Sequence, residues 1–255
     1  MRIVLIGAGR LATNLALALH HAGHQLLAVY SRTMTAATAL AVRVGAQPTD
    51  SLASLPAEAD LFILSVKDTA LESVFAQAVQ GRAGQFFVHT AGSMPMSLFE
   101  GHPCRYGVFY PMQTFSKERL VDFAEIPVFL EASDAASLQL LKTLAASISH
   151  RIYELSSADR KYLHLAAVFA CNFANHCYAL SAKILEQHGL PFSVMLPLID
   201  ETARKVHELH PLDAQTGPAV RYDENVISMQ QRLLDDDEMR RVYELLSKSI
   251  YHQTQ

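Results

Sequence analysis

The chain has 255 residues, of which 50% are hydrophobic and 18% charged, and its formal net charge is −4. This length suits one large domain or, more readily, two smaller ones. The negative charge and the lack of a lysine and arginine cluster exclude nucleic acid as the main partner, because phosphate binding requires a basic patch. No uninterrupted apolar stretch approaches the roughly 18 residues of a membrane-spanning helix, so we expect no membrane partner.

The cysteines and the N-terminus indicate the compartment. Cys104, Cys171 and Cys177 have no metal-ligand spacing, so we predict no metal site and interpret all three as reduced thiols. A strand-like segment beginning at residue 2 leaves no room for a signal peptide. We therefore expect a cytoplasmic protein.

The first part of the chain alternates strand-like and helix-like segments. Strands are predicted at Arg2–Ile6, Gln25–Tyr30, Asp60–Val66, Phe86–His89, Arg105–Phe109, Ile126–Leu130 and within residues 150–155. Helices are predicted at Arg10–Ala22, Thr35–Val44, Leu71–Val79 and Ala135–Ser147. Continuous apolar strands are typical of a parallel sheet covered on both faces. The alternation therefore predicts an α/β domain, a Rossmann-type doubly wound parallel sheet, over residues 1–155.

The pattern becomes helical after this sheet. Ser156 begins about thirty residues of helical spacing that stop at Gly189, and further helical segments follow. We predict an all-helical C-terminal domain over residues 156–255, which binds substrate and mediates dimerisation. Its first helix has apolar residues on more than one face, which predicts a homodimer through the C-terminal helices.

A glycine-rich turn follows the first predicted strand. In Gly7-Ala8-Gly9-Arg10-Leu11-Ala12, the first glycine permits a tight turn and the second lets the backbone approach a pyrophosphate at a helix N-terminus. The third position needs only a small residue, which Ala12 provides. This segment predicts a dinucleotide site, although a tight turn that binds nothing is the alternative.

The end of the second strand indicates which dinucleotide is bound. An acidic residue there would bind the ribose 2′-hydroxyl of NAD, but the chain has Ser31-Arg32-Thr33. A guanidinium and two hydroxyls suit a 2′-phosphate. We therefore predict NADP, the alternative being an ordinary solvated arginine at Arg32.

Several segments together resemble a family that pairs a Rossmann-like NADP oxidoreductase domain with a helical domain of unassigned function. They are IGAGRLATNLA, VYSRT, ADLFILSVKD, VHTAGSMPMSLF, GVFYPMQTF, YLHLAAVFACNFANH and TGPAVRYD. Pyrroline-5-carboxylate reductase and deazaflavin-dependent NADP reductases are more distant relatives. The resemblance implies that Val66, Lys67, Thr90 and Gly92 flank the ribose and nicotinamide. The family pattern has glycine where this chain has Tyr222.

The candidate catalytic residues are His164, Asn172 and Gln113. Gln113 follows a strand, at the sheet edge where α/β proteins bind ligands. At about 100° per residue, Asn172 shares a helix face with His164. Histidine titrates near neutrality and suits a proton donor, so we assign that role to His164 and substrate positioning to the other two. A structural polar network is the alternative for this face, and His89 is the competing donor.

These observations favour an NADP(H)-dependent oxidoreductase that reduces a C=O or C=N bond of a small molecule. Two other functions remain open: a non-catalytic NADP-binding sensor or regulatory protein, and a helical interaction module on a Rossmann scaffold.

Overall fold

The computed structural model describes residues 1–254. The N-terminal part of the chain forms an eight-stranded sheet. The strands lie in the order β3-β2-β1-β4-β5-β6-β7-β8. Their bounds are β1 Arg2–Ile6, β2 Gln25–Tyr30, β3 Gln47–Thr49, β4 Leu61–Leu64, β5 Phe86–His89, β6 Arg105–Pro111, β7 Val128–Ala132 and β8 Ile152–Glu154. The order reverses between β1 and β4, as in the predicted Rossmann-type fold.

The sheet departs from the prediction at two places. Strand β7 runs antiparallel to β6, pairing Phe109 with Leu130, whereas the other neighbours are parallel. The segment between β6 and β7 contains only a short 3₁₀ turn, Phe123–Glu125, and a parallel connection usually needs a crossover helix. The edge strand β3 was not predicted, because it has three residues and includes Pro48.

Helices cover both faces of the sheet and bury its apolar side chains. The first four are α1 Arg10–His21, α2 Met34–Val44, α3 Asp68–Ala78 and α4 Ala135–Ala146. Ile3 and Leu5 of β1 pack in one cluster with residues of α1, α2 and α4, whereas Val4 and Ile6 pack in a second cluster with α3. Burial of each such side chain contributes about 1.5–3 kcal/mol, so the continuous apolar strands are explained by packing on two faces.

The chain divides into two compact units, Met1–Cys171 and Asn172–Gln255. Helix α5 spans Ser157–Ala167 and belongs to the first unit. We had predicted that the helical domain begins with this helix. A physical reason is Arg160, which is only 1% exposed and bonds to Glu131 of β7. A π-helical turn, Val168–Phe173, follows α5 and contains the boundary between the units.

The second unit is helical, as predicted. Its helices are α6 Ala174–Gln187, α7 Leu196–Glu208, α8 Pro211–Ala214, α9 Glu224–Arg232 and α10 Asp237–Gln253. Tyr222, with φ of 49°, is the one non-glycine residue in the described range that has a left-handed backbone. Glycine adopts this conformation without steric cost, so the glycine that the resemblance implies at this position would suit the backbone found here. Within residues 1–254, no helix is long and apolar enough to cross a membrane.

His89 at the end of β5 is a polar residue inside the core. Its ring is 0% exposed, and Nδ1 accepts a hydrogen bond of 3.2 Å from the backbone N–H of Ala91. Burial, and then the positive charge of Arg160, lower the pKa of His89 to about 3. A ring with so low a pKa is neutral near pH 7 and is a poor proton donor there.

This buried histidine predicts a pH-dependent stability. Between pH 6.5 and 3 the unfolded chain binds a proton at residue 89 that the folded chain does not, so stability falls as the pH falls. On going from pH 7 to pH 5, this residue should lower the free energy of unfolding by about 2 kcal/mol. Urea unfolding should therefore show that the free energy of unfolding falls by about 2 kcal/mol less in His89→Asn than in the unmodified protein between pH 7 and pH 5.

The exposed His20→Asn variant controls for removing a surface imidazole. The assignment of His89 is wrong if His89→Asn and the unmodified protein lose equal stability over this interval.

Candidate active site

The turn after β1 is fixed by its close approach to β4. Gly7 has φ of +127°, and a Cβ atom there would lie 2.1 Å from the backbone oxygen of Ser65. The N–H of Gly7 also donates a 2.8 Å hydrogen bond to the carbonyl oxygen of Tyr30, the last residue of β2. Only glycine fits at this position, and the turn joins the carboxyl ends of three neighbouring strands.

Gly9 leaves the N-terminus of α1 accessible. It is the N-cap residue in an extended conformation, no side chain caps the helix, and the first turn has no acidic residue. A Cβ atom at Gly9 would have no neighbour within 4 Å. The positive end of the helix dipole and its free N–H groups therefore suit a bound phosphate group.

A cleft of about 300 Å³ lies at this point, where the strand order reverses. Ligands of open α/β sheets bind at such a position. The lining residues come from the ends of β1, β2 and β4 and from α3: Gly7, Ala8, Gly9, Tyr30, Ser31, Arg32, Ser65, Val66, Lys67, Thr69, Ala70 and Val74. The structure therefore brings together Gly7, Gly9, Ser31, Arg32, Val66 and Lys67 of the sequence-predicted set.

The other predicted cofactor residues lie outside that lining. Arg10 and Leu11 continue from the glycine turn into α1. The Thr33 hydroxyl caps α2, accepting a 3.4 Å hydrogen bond from the N–H of Ala36. Thr90 and Gly92 follow β5, further along the same sheet edge. The sequence analysis missed Tyr30 and Ser65, although their positions at the ends of β2 and β4 were a usable signal, and it also missed the first two turns of α3.

Positive charge is available around the cleft. Arg10, Arg32 and Lys67 are exposed, and none of them forms an ion pair with another residue of the described chain. A guanidinium can bind phosphate in a bidentate manner. The residues present thus fit a phosphorylated dinucleotide, with an open helix N-terminus for one phosphate and Arg32 for another.

A second group of polar residues lies at the ends of β5 and β6. The Tyr110 hydroxyl and His164 Nδ1 form a 3.0 Å hydrogen bond, with the rings edge to face. A Cβ atom at Gly92 would lie 2.5 Å from His164 Nδ1 and 2.9 Å from Tyr110 Cζ, so glycine makes room for the pair. Gly92 was predicted as a cofactor residue, and its observed contacts are to these two side chains.

The surroundings of Tyr110 keep its hydroxyl protonated. Burial raises the pKa of Tyr110, Arg160 lowers it by a smaller effect, and the Asp68 carboxylate raises it. Asp68, at the start of α3, accepts a hydrogen bond from the Ser93 hydroxyl. A protonated phenol can donate to Nδ1 of a neutral imidazole, which leaves the proton of that ring on Nε2.

The three predicted catalytic residues lie on different parts of the chain. His164 is half-buried on α5 beside Tyr110, a residue that sequence reasoning did not select although it lies near the carboxyl end of β6. Gln113 is exposed, and its Oε1 accepts a 2.8 Å hydrogen bond from the backbone N–H of Thr114. Asn172 belongs to the second unit. Its predicted alignment with His164 assumed regular α-helical spacing, which the π-helical turn interrupts.

Over residues 1–254, no group of three or more His, Cys, Asp or Glu side chains is arranged to hold a metal ion.

Two family matches divide the chain. Residues 2–92 match the family described as "NADP oxidoreductase coenzyme F420-dependent", and residues 126–250 match a domain of unknown function, DUF2520. No curated protein matches the chain at a significant level.

Solved structures are similar over nearly the whole length. A Bacteroides fragilis protein described as a "putative NADP oxidoreductase" is 57% identical, with 98% of each chain covered and a TM-score of 0.95. A Thermotoga maritima protein is 23% identical, with 99% of this chain and 98% of that chain covered and a TM-score of 0.70. An imine reductase from Myxococcus stipitatus, in complex with NADP+, is 16% identical, with 99% and 92% covered and a TM-score of 0.68.

The latter two similarities show the fold alone, whereas the first is close enough to show the family. The resemblance inferred from the sequence is thereby confirmed. The chain belongs to the NADP oxidoreductase family of the Bacteroides fragilis protein. In this chain an F420-dependent-type NADP oxidoreductase domain is followed by a DUF2520 domain, which contains the last two strands of the sheet and most of the helical C-terminal region.

Proposed function

We propose that this protein is an NADP(H)-dependent reductase that acts on a C=O or C=N bond of a small molecule. The observation that carries the proposal is the cleft at the carboxyl ends of β1 and β4, where the strand order reverses. It combines a glycine turn, an uncapped helix N-terminus and the Arg32 guanidinium. The NADP+ complex of the Myxococcus stipitatus imine reductase supports a dinucleotide in this fold.

In this proposal, different residues along the sheet edge bind different parts of the dinucleotide. Gly7 and Gly9, with the backbone of Arg10 and Leu11, hold the pyrophosphate at the α1 N-terminus. Ser31, Arg32 and Thr33 hold the 2′-phosphate. Val66, Lys67, Thr90 and Gly92 flank the ribose and nicotinamide, as their positions after β4 and β5 suggest. The bound cofactor supplies the hydride.

The Tyr110–His164 pair suits the proton that accompanies reduction. A reduced C=O or C=N group needs a proton at its heteroatom, and the protonated form of an imidazole, the imidazolium, is a suitable donor near neutral pH. The 3.0 Å hydrogen bond between the Tyr110 hydroxyl and Nδ1 orients the ring in either protonation state. The phenol donates to Nδ1 of the neutral ring, and Nδ1–H of the imidazolium donates to the phenol oxygen. We assign proton donation to His164, and substrate positioning to Gln113 and Asn172.

One experiment separates this function from its two alternatives. Imines, 2-oxo acids and aldehydes are screened with NADPH, and the loss of NADPH absorbance is followed. Turnover supports the reductase. NADPH binding without turnover on any of these compounds favours a sensor, and lack of NADPH binding favours a helical interaction module on a Rossmann scaffold.

Arg32 should determine the choice of cofactor. Calorimetric titration should show tighter binding of NADPH than of NADH, and Arg32→Ala should remove most of the difference. The expected loss in NADPH affinity is about 1.5–3 kcal/mol, because hydrogen bonds to charged groups are strong. Arg43→Ala, at the far end of α2, is the control and should leave both affinities unchanged. Equal affinity of the unmodified protein for NADH and NADPH would contradict the assignment.

His164 should affect turnover more than cofactor binding. Once the screen identifies a substrate, His164→Gln should lower the turnover rate about 10²–10⁴-fold and leave NADPH affinity nearly unchanged. The exposed His150→Gln variant is the control. A turnover rate within a factor of a few of the unmodified protein would assign His164 to a structural role instead.

We also propose that the protein forms a homodimer through its C-terminal helices. Large apolar side chains are exposed on α7 and α10, including Leu198 at 63% and Leu245 at 70%. Light scattering at micromolar concentration should give about twice the chain mass of 28.1 kDa. Leu245→Glu should weaken the dimer, whereas Val42→Glu, on an exposed position of α2, should not. A monomeric mass for the unmodified protein is the result that rules the dimer out.

A further inference from the structure

We propose that Arg160 and Glu131 are positioning residues, whose buried ion pair holds His164 against Tyr110 and Gly92. The proposal rests on the proposed function for the catalytic role of His164, but the placement of the ring is measurable without any substrate. No sequence feature singled out either residue.

Arg160 connects three separate segments of the first unit. Its Nη1 donates a 2.7 Å hydrogen bond to Glu131 Oε2. Its Nη2 donates to the backbone oxygen of Met94 at 2.6 Å and to the Ser157 hydroxyl at 3.0 Å. Arg160 is 1% exposed and the Glu131 side chain 19% exposed. One guanidinium thus joins β7, the segment after β5, and the first turn of α5.

Each of these segments carries or adjoins a part of the candidate catalytic group. His164 lies four residues after Arg160, so the two side chains share a face of α5. Met94 lies two residues after Gly92, against which the His164 ring packs. Glu131 pairs with Val108 on β6, the strand that carries Tyr110. Arg160 therefore fixes the imidazole, the glycine beside it and the phenol relative to one another.

The energetics distinguish positioning from simple stabilisation. Burial alone would raise the pKa of Glu131, but hydrogen bonds from Ser157 and Arg160 outweigh that effect and lower it, so the pair remains charged. Desolvation of two buried charges offsets much of their attraction, and an apolar pair of similar volume often maintains stability. What an apolar pair cannot reproduce is a fork of directed hydrogen bonds. A folded double variant should therefore lose the placement of His164.

The test is nitrogen NMR of protein labelled with ¹⁵N-histidine, in which His164→Gln identifies the signals of residue 164. The spectra are recorded at about pH 9, where an ordinary imidazole is neutral, so that protonation does not merge the two signals. In the unmodified protein, the Tyr110 hydrogen bond should then favour one tautomer and give two well-separated ring-nitrogen shifts. In Arg160→Met/Glu131→Leu, the two shifts should converge, because the ring samples both tautomers. The single variants are unsuitable because each leaves a buried charge without its partner.

Arg151→Met/Glu125→Leu is the matched control. It removes another arginine–glutamate pair of the same unit, bonded at 2.7 Å but exposed, and should keep the unmodified His164 shifts. Unchanged shifts in a folded Arg160→Met/Glu131→Leu variant would overturn the proposal. If circular dichroism shows that this variant does not fold, Arg160→Lys is used instead, since it keeps the charge but not the fork. It should show partial convergence, and unmodified shifts in Arg160→Lys would likewise overturn the proposal.

Calorimetry with NADPH separates this proposal from the proposed function. Converging shifts together with a lack of NADPH binding by the unmodified protein would support the positioning role and contradict the reductase. Normal NADPH binding together with unchanged shifts would overturn the positioning role and leave the proposed function to be tested by turnover.

Discussion

The candidate site depends on the contact between the backbone of Gly7 and the carbonyl group of Ser65. A side chain at residue 7 would meet that carbonyl oxygen at 2.1 Å, so the end of β1 can lie beside the end of β4 only when residue 7 is glycine. This contact directs α1 so that its uncapped N-terminus faces the cleft. The phosphate-binding geometry thus follows from one steric constraint in the turn.

The same sheet edge carries two kinds of chemistry at different strands. Around β1, β2 and β4, open backbone N–H groups and exposed cations suit phosphate groups. At the ends of β5 and β6, buried Tyr110 and half-buried His164 suit proton transfer. Because α5 belongs to the first unit, this unit alone supplies both groups of residues.

The sequence predicted what depends on local pattern and missed what depends on long-range contacts. The β1–turn–α1 segment was predictable because burial on two faces, a glycine turn and helical spacing all coincide there. The direction of β7 depends on how a long connection returns to the sheet, and residue patterns do not encode that path. Tyr110 and Arg160 were missed for the same reason: their partners lie 54 and 29 residues away along the chain. Asn172 was aligned with His164 by a spacing rule that the π-helical turn interrupts.

The most direct test of the account is to find where NADP+ contacts the protein. Amide spectra of the ¹⁵N-labelled protein, recorded during titration with NADP+, report this for each residue without a substrate. The account predicts that the largest shift changes occur at residues 7–12, 31–33 and 65–70, around the cleft at the carboxyl ends of β1 and β4. Shift changes confined to residues 172–254, or none up to millimolar NADP+, would contradict it.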